Sequence, residues 1–261
     1  MKKIVITKAG EPKVLQLQEC ADLEPGENEV RIAVKAAGLN FADIMARQGL
    51  YPDAPKFPCT VGYEVAGVID AVGANIEATW QGKEVFALTQ FGGQAEQVVV
   101  PLHQIFEKPS SLSFEAAAAI PVNYLTAYQL LVAMGGLQSH ESILIHNVGG
   151  GVGLAALEIA NKIGATTYGT ASPGKHSFLK EKGLHHAIDY RTQDWKKELL
   201  SITDGRGVDL ITDPLGGKSL RESYSALSNT GRLGMFGISS VAESGVKGKL
   251  KMLKMVFQTP F

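Results

Sequence analysis

Cysteine is scarce in this chain: only Cys20 and Cys59 among 261 residues, far apart and without metal-ligand spacing. That excludes a disulfide framework and a cysteine-rich zinc cluster, and leaves two thiols of a reducing cytosol. Long apolar runs are missing too. None reaches the roughly 20 residues that cross a bilayer, and the opening Met1-Lys2-Lys3-Ile4-Val5-Ile6 is too short in its apolar part for a signal peptide and reads as a strand. Charge of one sign is also lacking. With 25 Lys and Arg against 26 Asp and Glu the net charge is -1, which withholds the basic field a general nucleic-acid binder needs. The remaining class is a soluble, cytoplasmic globular protein, 45% hydrophobic and 20% charged, long enough for one large domain or two modest ones.

The two halves differ in texture. Up to about residue 110, short β runs are broken by Gly and Pro. Ile4-Val5-Ile6 and Val14-Leu15-Gln16-Leu17 suggest a hairpin pair, Val30-Arg31-Ile32-Ala33-Val34 alternates with period two, and residues 65–72, 85–88 and 97–100 add further strands. One helix is expected over 42–48, stopping at Gly49. The pattern predicts a partly open, barrel-like β domain. Ser113 then caps a helix beginning at Glu115, and Pro121 starts another that ends at Gly135-Gly136. Beyond it strands (143–147, 166–171, 186–189, 208–213, 232–237) alternate with helices (152–163, 175–182, 195–202, 220–227). Alternating βα units imply a parallel sheet covered on both faces. An amphipathic helix carrying several lysines is expected over 248–261.

The stretch His146-Asn147-Val148-Gly149-Gly150-Gly151-Val152-Gly153 joins the first of these strands to its helix. Unpaired N–H groups at the positive end of a helix dipole suit a phosphate, and glycine lets backbone approach a ligand. The spacing Val148-x-Gly150-x-x-Gly153 has valine where the usual G-x-G-x-x-G begins with glycine; an ordinary glycine-rich turn would look the same. A second absence sharpens the assignment. An NAD site carries an acid about 20 residues after the glycines, yet Thr170-Ala171-Ser172-Pro173-Gly174-Lys175 contains no Asp or Glu. Ser172 offers a hydroxyl and Lys175 a cation, the groups a 2′-phosphate needs, so NADPH is expected over NADH. Tyr190 and Arg191 follow the next strand. Ser172 would equally serve as a helix cap.

Several further stretches carry a resemblance: Gly38-Leu39-Asn40-Phe41-Ala42-Asp43 with Arg47-Gln48-Gly49-Leu50-Tyr51; Gly62-Tyr63-Glu64-Val65-Ala66-Gly67-Val68; Asn123-Tyr124-Leu125-Thr126-Ala127-Tyr128; and Asp213-Pro214-Leu215-Gly216-Gly217. The chain resembles, over essentially its whole length, the zinc-free quinone oxidoreductase branch of the medium-chain dehydrogenase/reductase superfamily, and within it the vesicle amine transport protein-like quinone oxidoreductases. The resemblance implies an α/β fold: a GroES-like, β-rich N-terminal domain (residues 1–120) with the active site in its cleft against a doubly wound, NADPH-binding Rossmann domain (residues 121–261). Family members continue further, to a strand used in dimer pairing and a return to the first domain. The C-terminal part of the fold is therefore expected to be absent, the chain a fragment, and the full-length protein a homodimer.

Zinc relatives place ligands at three positions that match Asn40, Tyr63 and Val122. None is a thiolate or imidazole, so no metal is expected. Hydrogen-bond donors would then polarise the acceptor carbonyl, and Asn40 and Tyr51 are the candidates. Asn40 would also fit as an N-cap, and Tyr51 as a loop aromatic beside Pro52. Asn123 and Thr126 are placed near the nicotinamide, Phe236 and Gly237 beside its ribose, and Gly150, Gly151, Val152 and Gly153 around the pyrophosphate. Asp213 ends the fourth strand near the adenosine without a defined role. The histidines read as surface or packing residues. The implied activity is NADPH-dependent reduction of a small quinone or electron-poor enone. The rivals are an enoyl or alkenal double-bond reductase and a non-catalytic NADPH-binding protein.

Overall fold

A computed structural model of the protein describes residues 1–241; the helix expected over 248–261 lies outside the described residues. The chain forms two compact units, Met1–Val122 and, within the described residues, Asn123–Val241.

In the first unit β1 (Lys2–Ile6) pairs antiparallel with β2 (Leu15–Glu19), Ile4 opposite Leu17. Next come β3 (Glu29–Ala37), α1 (Phe41–Gln48), β4 (Glu64–Val72), β5 (Glu84–Leu88), β6 (Gln97–Pro101), β7 (Ile105–Glu107) and α2 (Phe114–Ala118). The five later strands make an antiparallel sheet in the order β6-β3-β4-β5-β7. Its period-two residues meet on one face: Val30, Ile32, Val65, Ile69, Val85, Val98 and Val100 are buried together. Strand β7 is an addition to the expected set. Three residues are too few to show alternation, and it exists because Val85–Ala87 offers it a partner. Helix α1 ends where Gly49 turns left-handed (φ 72°). Ser113 Oγ accepts from the Ala116 N–H (3.2 Å) to start α2, which lays Ala117 and Ala118 on Ala66.

The second unit contains α3 (Pro121–Tyr128, continued by a π-turn over Gln129–Ala133), β8 (Ser142–Ile145), α4 (Gly151–Ile163), β9 (Thr166–Ala171), α5 (His176–Glu181), β10 (His186–Asp189), α6 (Trp195–Ile202), β11 (Val208–Asp213), α7 (Lys218–Tyr224) and β12 (Leu227–Met235). All five strands are parallel, in the order β10-β9-β8-β11-β12. The chain runs outward from β8 in one direction, then returns to β8's other side. The C-terminal end of β8 is therefore the switch point at which doubly wound sheets bind ligands. Ile143 and Ile145 face one core with Ala155, Ala156 and Leu179, while Leu144 faces the other with Ile188, Leu199 and Ile211. Both faces are covered.

Strand β8 ends at Ile145, two residues before the expected Asn147, and α7 and β12 differ most from the sequence pattern. Helix α7 starts at Lys218, after Gly216 and Gly217 at positive φ, and ends at Tyr224, three residues before the expected Leu227. Strand β12 begins at Leu227 because the ladder slips: Val208 pairs with Leu227 but Leu210 with Arg232, and the turn-like Ser228-Asn229-Thr230-Gly231 is absorbed as a bulge.

The departure at Val148 also has a packing explanation. Val148 is buried, and a Cβ on Gly169 of the neighbouring strand would lie 2.6 Å from its Cγ1. Bulk on one side of the contact is matched by glycine on the other. Gly169→Ala should therefore cost about 1–3 kcal/mol, and Val148→Gly in the same chain should recover part of that loss in a double-mutant cycle of urea unfolding. Additive losses would contradict this packing.

Candidate functional site

The junction after β8 is built by close approach. Asn147 takes a left-handed conformation (φ 52°), and its carbonyl accepts from the Gly150 N–H (2.9 Å), folding the loop back on itself. Gly150 is the N-cap of α4 and supplies no side-chain cap, and the first turn contains no acid. The leading N–H groups of a 13-residue helix thus have no side-chain acceptor from the cap. Gly153 lies so near the backbone of Asn147 and Val148 that any Cβ would overlap the Asn147 carbonyl. A Cβ on Gly151 would lie 2.5 Å from Asn123 Oδ1, so Asn123 stands directly against the first turn. Thr126 follows one turn later on the same side of α3, half-buried. Tyr124, also on α3, donates its hydroxyl to Glu158 of α4 (2.6 Å).

Beneath the loop runs a buried polar chain. His146 Nδ1 meets Thr170 Oγ1 (3.1 Å) and Nε2 meets Ser223 Oγ (3.0 Å). Thr170 Oγ1 accepts the Asn147 N–H (3.2 Å), and Ser223 donates to Asp213 (2.9 Å). Asp213 also accepts from the Leu215 and Gly216 N–H groups and the Ser219 hydroxyl. Its role is thus to gather the loop after β11. The only sequence signal of this chain is a set of polar residues ending apolar strands.

At the ends of β9 and β10, Asp189 pairs with Ala171, so Ser172 and Tyr190 follow adjacent residues of neighbouring strands. Tyr190 is 51% exposed, open to a ligand. Ser172 precedes a short helical turn, and its side chain makes no cap bond. Lys175 Nζ donates to the Gly149 carbonyl (2.8 Å), which places its cation on the glycine loop itself. The nearest strand-end carboxylate, Asp189, accepts from the Arg191 N–H and the Thr192 hydroxyl (2.6 Å) and is held ionised by them, below its ordinary range. Phe236 closes β12, its N–H on the Asp213 carbonyl (3.1 Å) and its ring against the core, and Gly237 lies against Pro214.

In the first unit, Asn40 is the N-cap of α1: its N–H goes to Asp43 Oδ2 (2.8 Å), while Asp43 Oδ1 takes the Gly62 N–H (2.9 Å). Its side chain does something else as well. Asn40 Nδ2 donates to Glu64 Oε1 (2.9 Å), and Glu64 Oε2 accepts the Val122 N–H (2.8 Å). One buried carboxylate joins Asn40 and Val122. Burial pushes both Glu64 and Asp43 above the ordinary carboxylate range, against the hydrogen bonds that lower them. Tyr63 stands edge-on to Tyr51 (ring centroids 6.0 Å) and tilted against Phe91 (5.2 Å); burial, then Tyr51, raise its phenol pKa. Tyr51 packs on a small cluster containing Ile6, Ala46 and Val61. Asn40 and Tyr51 thus lie at opposite ends of α1. Glu64 carries a readable signal, a charge beside the apolar run 65–72, which must find partners if buried. Among the described residues no cluster of three or more His, Cys, Asp or Glu could hold a metal ion, and no helix is long and apolar enough to cross a membrane.

Residues 26–110 match the alcohol dehydrogenase GroES-like domain family, and residues 151–258 the zinc-binding dehydrogenase family. The human synaptic vesicle membrane protein VAT-1 homolog is 41% identical over 95% of the chain, which spans 63% of that relative's length. Human quinone oxidoreductase is 34% identical over 93% of the chain and 75% of its own length. Among solved structures, the Escherichia coli quinone oxidoreductase complexed with NADPH superimposes with a TM-score of 0.87 at 33% identity, covering 97% of this chain and 78% of that one. The CurK enoyl reductase gives 0.86 at 32% identity, covering 99% and 83%.

Removing the Glu64 carboxylate should expose what it holds. Glu64→Ala leaves the Val122 N–H and the Asn40 amide short of an acceptor, at about 1–3 kcal/mol for each buried group. Glu64→Gln, which retains one acceptor oxygen, should lose less in the same denaturant titration. Equal losses for the two variants would contradict the pairing.

Proposed function

The chain belongs to the medium-chain dehydrogenase/reductase superfamily, close to the VAT-1 homologs and quinone oxidoreductases, and from that premise we propose that it is a zinc-independent, NADPH-dependent reductase acting on a quinone or an electron-poor enone. The observation that carries the reading is Lys175 seated on the glycine loop, beside a strand end with no free carboxylate. The residues present fit the cofactor: Gly151 and Gly153 let the first turn of α4 sit against Asn123 and the Asn147 carbonyl, and the N-cap, Gly150, has no side chain to take the leading N–H groups. The N–H groups of Gly151, Val152 and Gly153 would hold the pyrophosphate, with Gly150, whose own N–H stays on the Asn147 carbonyl, giving the backbone room to approach it. Ser172, Lys175 and Tyr190 would take the 2′-phosphate, with the Lys175 cation meeting its charge. Asn123, Thr126, Phe236 and Gly237 would border the nicotinamide and its ribose. Bound NADPH supplies the hydride; the chain supplies position and electrostatics.

Two features support chemistry without zinc. Asn40, Tyr63 and Val122 stand where zinc relatives carry ligands, and the Glu64 carboxylate is engaged by Asn40 and Val122. Asn40 retains a second amide hydrogen after donating to Glu64, and with Tyr51 it would donate to the acceptor oxygen as charge develops there. The proton comes from Tyr51 or water. Enoyl reduction is the second reading, favoured by the similarity to the CurK enoyl reductase.

NADPH oxidation measured against a quinone panel and an enone panel separates the two acceptor classes; turnover with neither would contradict both. Lys175→Ala should weaken NADPH binding roughly tenfold to a hundredfold, the worth of a charge-assisted bond, and leave NADH binding unchanged. Unchanged NADPH affinity would remove Lys175 from the 2′-phosphate site.

A further inference from the structure

We propose that His146 is a positioning residue for the dinucleotide site: through a one-way chain of hydrogen bonds it holds the left-handed backbone of Asn147, and with it the glycine loop, in the binding geometry. The proposal rests on reading that loop as a nucleotide site.

The direction of every bond follows from donor counting. Asp213 is acceptor-only, so Ser223 spends its single hydroxyl proton there. Ser223 Oγ can then only accept from His146, which makes Nε2 the protonated nitrogen. Nδ1 is left as an acceptor and must be filled by the Thr170 hydroxyl. With its proton spent, Thr170 Oγ1 accepts the Asn147 N–H. One arrangement satisfies all five groups, and only with a neutral imidazole. The surroundings keep it so: burial pushes the His146 pKa down to about 4, against the opposing fields of Asp213 and Glu222, while Trp195 of α6 stands edge-on to the ring at 4.5 Å.

The free end of the chain is where the geometry matters. Left-handed backbone is disfavoured for most residues with a Cβ; asparagine tolerates it, and here the surroundings over-determine it. Thr170 does so twice, its hydroxyl accepting the Asn147 N–H and its carbonyl the Val148 N–H (3.2 Å). The Asn147 carbonyl in turn accepts from Gly150 and lies against Gly153. The rotation of one peptide thus sets where the first turn of α4 points, and His146 fixes the hydroxyl that sets the rotation.

The test separates positioning from plain stability. His146→Asn keeps an acceptor near the Nδ1 position, so it retains the Thr170 arm, while abandoning Ser223 and opening space beside Trp195. His146→Leu loses both arms. Thr170→Val removes the hydroxyl at nearly constant volume. NADPH dissociation constants should rise roughly fivefold to tenfold, the worth of one hydrogen bond, for Thr170→Val and His146→Leu. His146→Asn should stay within about twofold, whatever stability it loses in denaturant unfolding. Amide exchange over 147–153 in the unliganded proteins should quicken in the same two variants only. Affinity and exchange that follow global stability, with His146→Asn as impaired as His146→Leu, would overturn the proposal. If the wild-type protein binds no NADPH, the nucleotide reading fails, and the exchange comparison still decides whether the chain holds the loop.

Discussion

The first turn of α4 lies against the end of β8 with no room for a side chain between them, and the rest of the second unit is arranged around that contact. Gly153 rests on the Asn147 carbonyl, Asn147 is held left-handed, and Val148 fills the space that Gly169 leaves in the next strand. The strand order puts this contact at the switch point of the sheet, with β9 on one side and β11 on the other. Helix-terminal N–H groups, a cation on Lys175 and a strand end without a free acid then meet in one place. Each is common alone; their coincidence is what the proposed NADPH site rests on.

Buried carboxylates recur as the means by which loops are held. Asp43 gathers the N–H groups of Asn40 and Gly62, Glu64 those of the Asn40 side chain and Val122, and Asp213 those of Leu215 and Gly216 with two serine hydroxyls. Asp209 collects Ser142, Arg206 and Ser228 in the same way. A buried charge costs several kcal/mol unless its lone pairs are filled, roughly the strength needed to hold irregular backbone in one form. At Glu64 the device ties the Asn40 side chain and the Val122 N–H to one carboxylate.

Much of this architecture is legible in the residues, because period-two and helical spacing, capping residues and glycine spacing are local signals. The alternation of strands and helices after Pro121, the Gly49 stop and the glycine junction follow from neighbours a few positions apart. Strand β7 and the slipped register of β12 do not, since each depends on the strand beside it. The buried polar network is less legible still. His146 meets partners 24 and 77 residues away, and Glu64 meets Val122 across 58. Val148 looks like a defect in the motif until Gly169 is placed opposite it. Asn40 is the N-cap that its place before α1 suggests, and its side chain donates to Glu64, 24 residues away, which no local spacing announces.

The most direct test of the central claim is the crystal structure of the protein soaked with NADPH. The pyrophosphate should lie on the N–H groups of residues 151–153, and Lys175 should leave the Gly149 carbonyl to meet the 2′-phosphate beside Ser172 and Tyr190. A dinucleotide bound elsewhere, or one whose 2′-phosphate faces solvent while Lys175 stays on Gly149, would contradict the account.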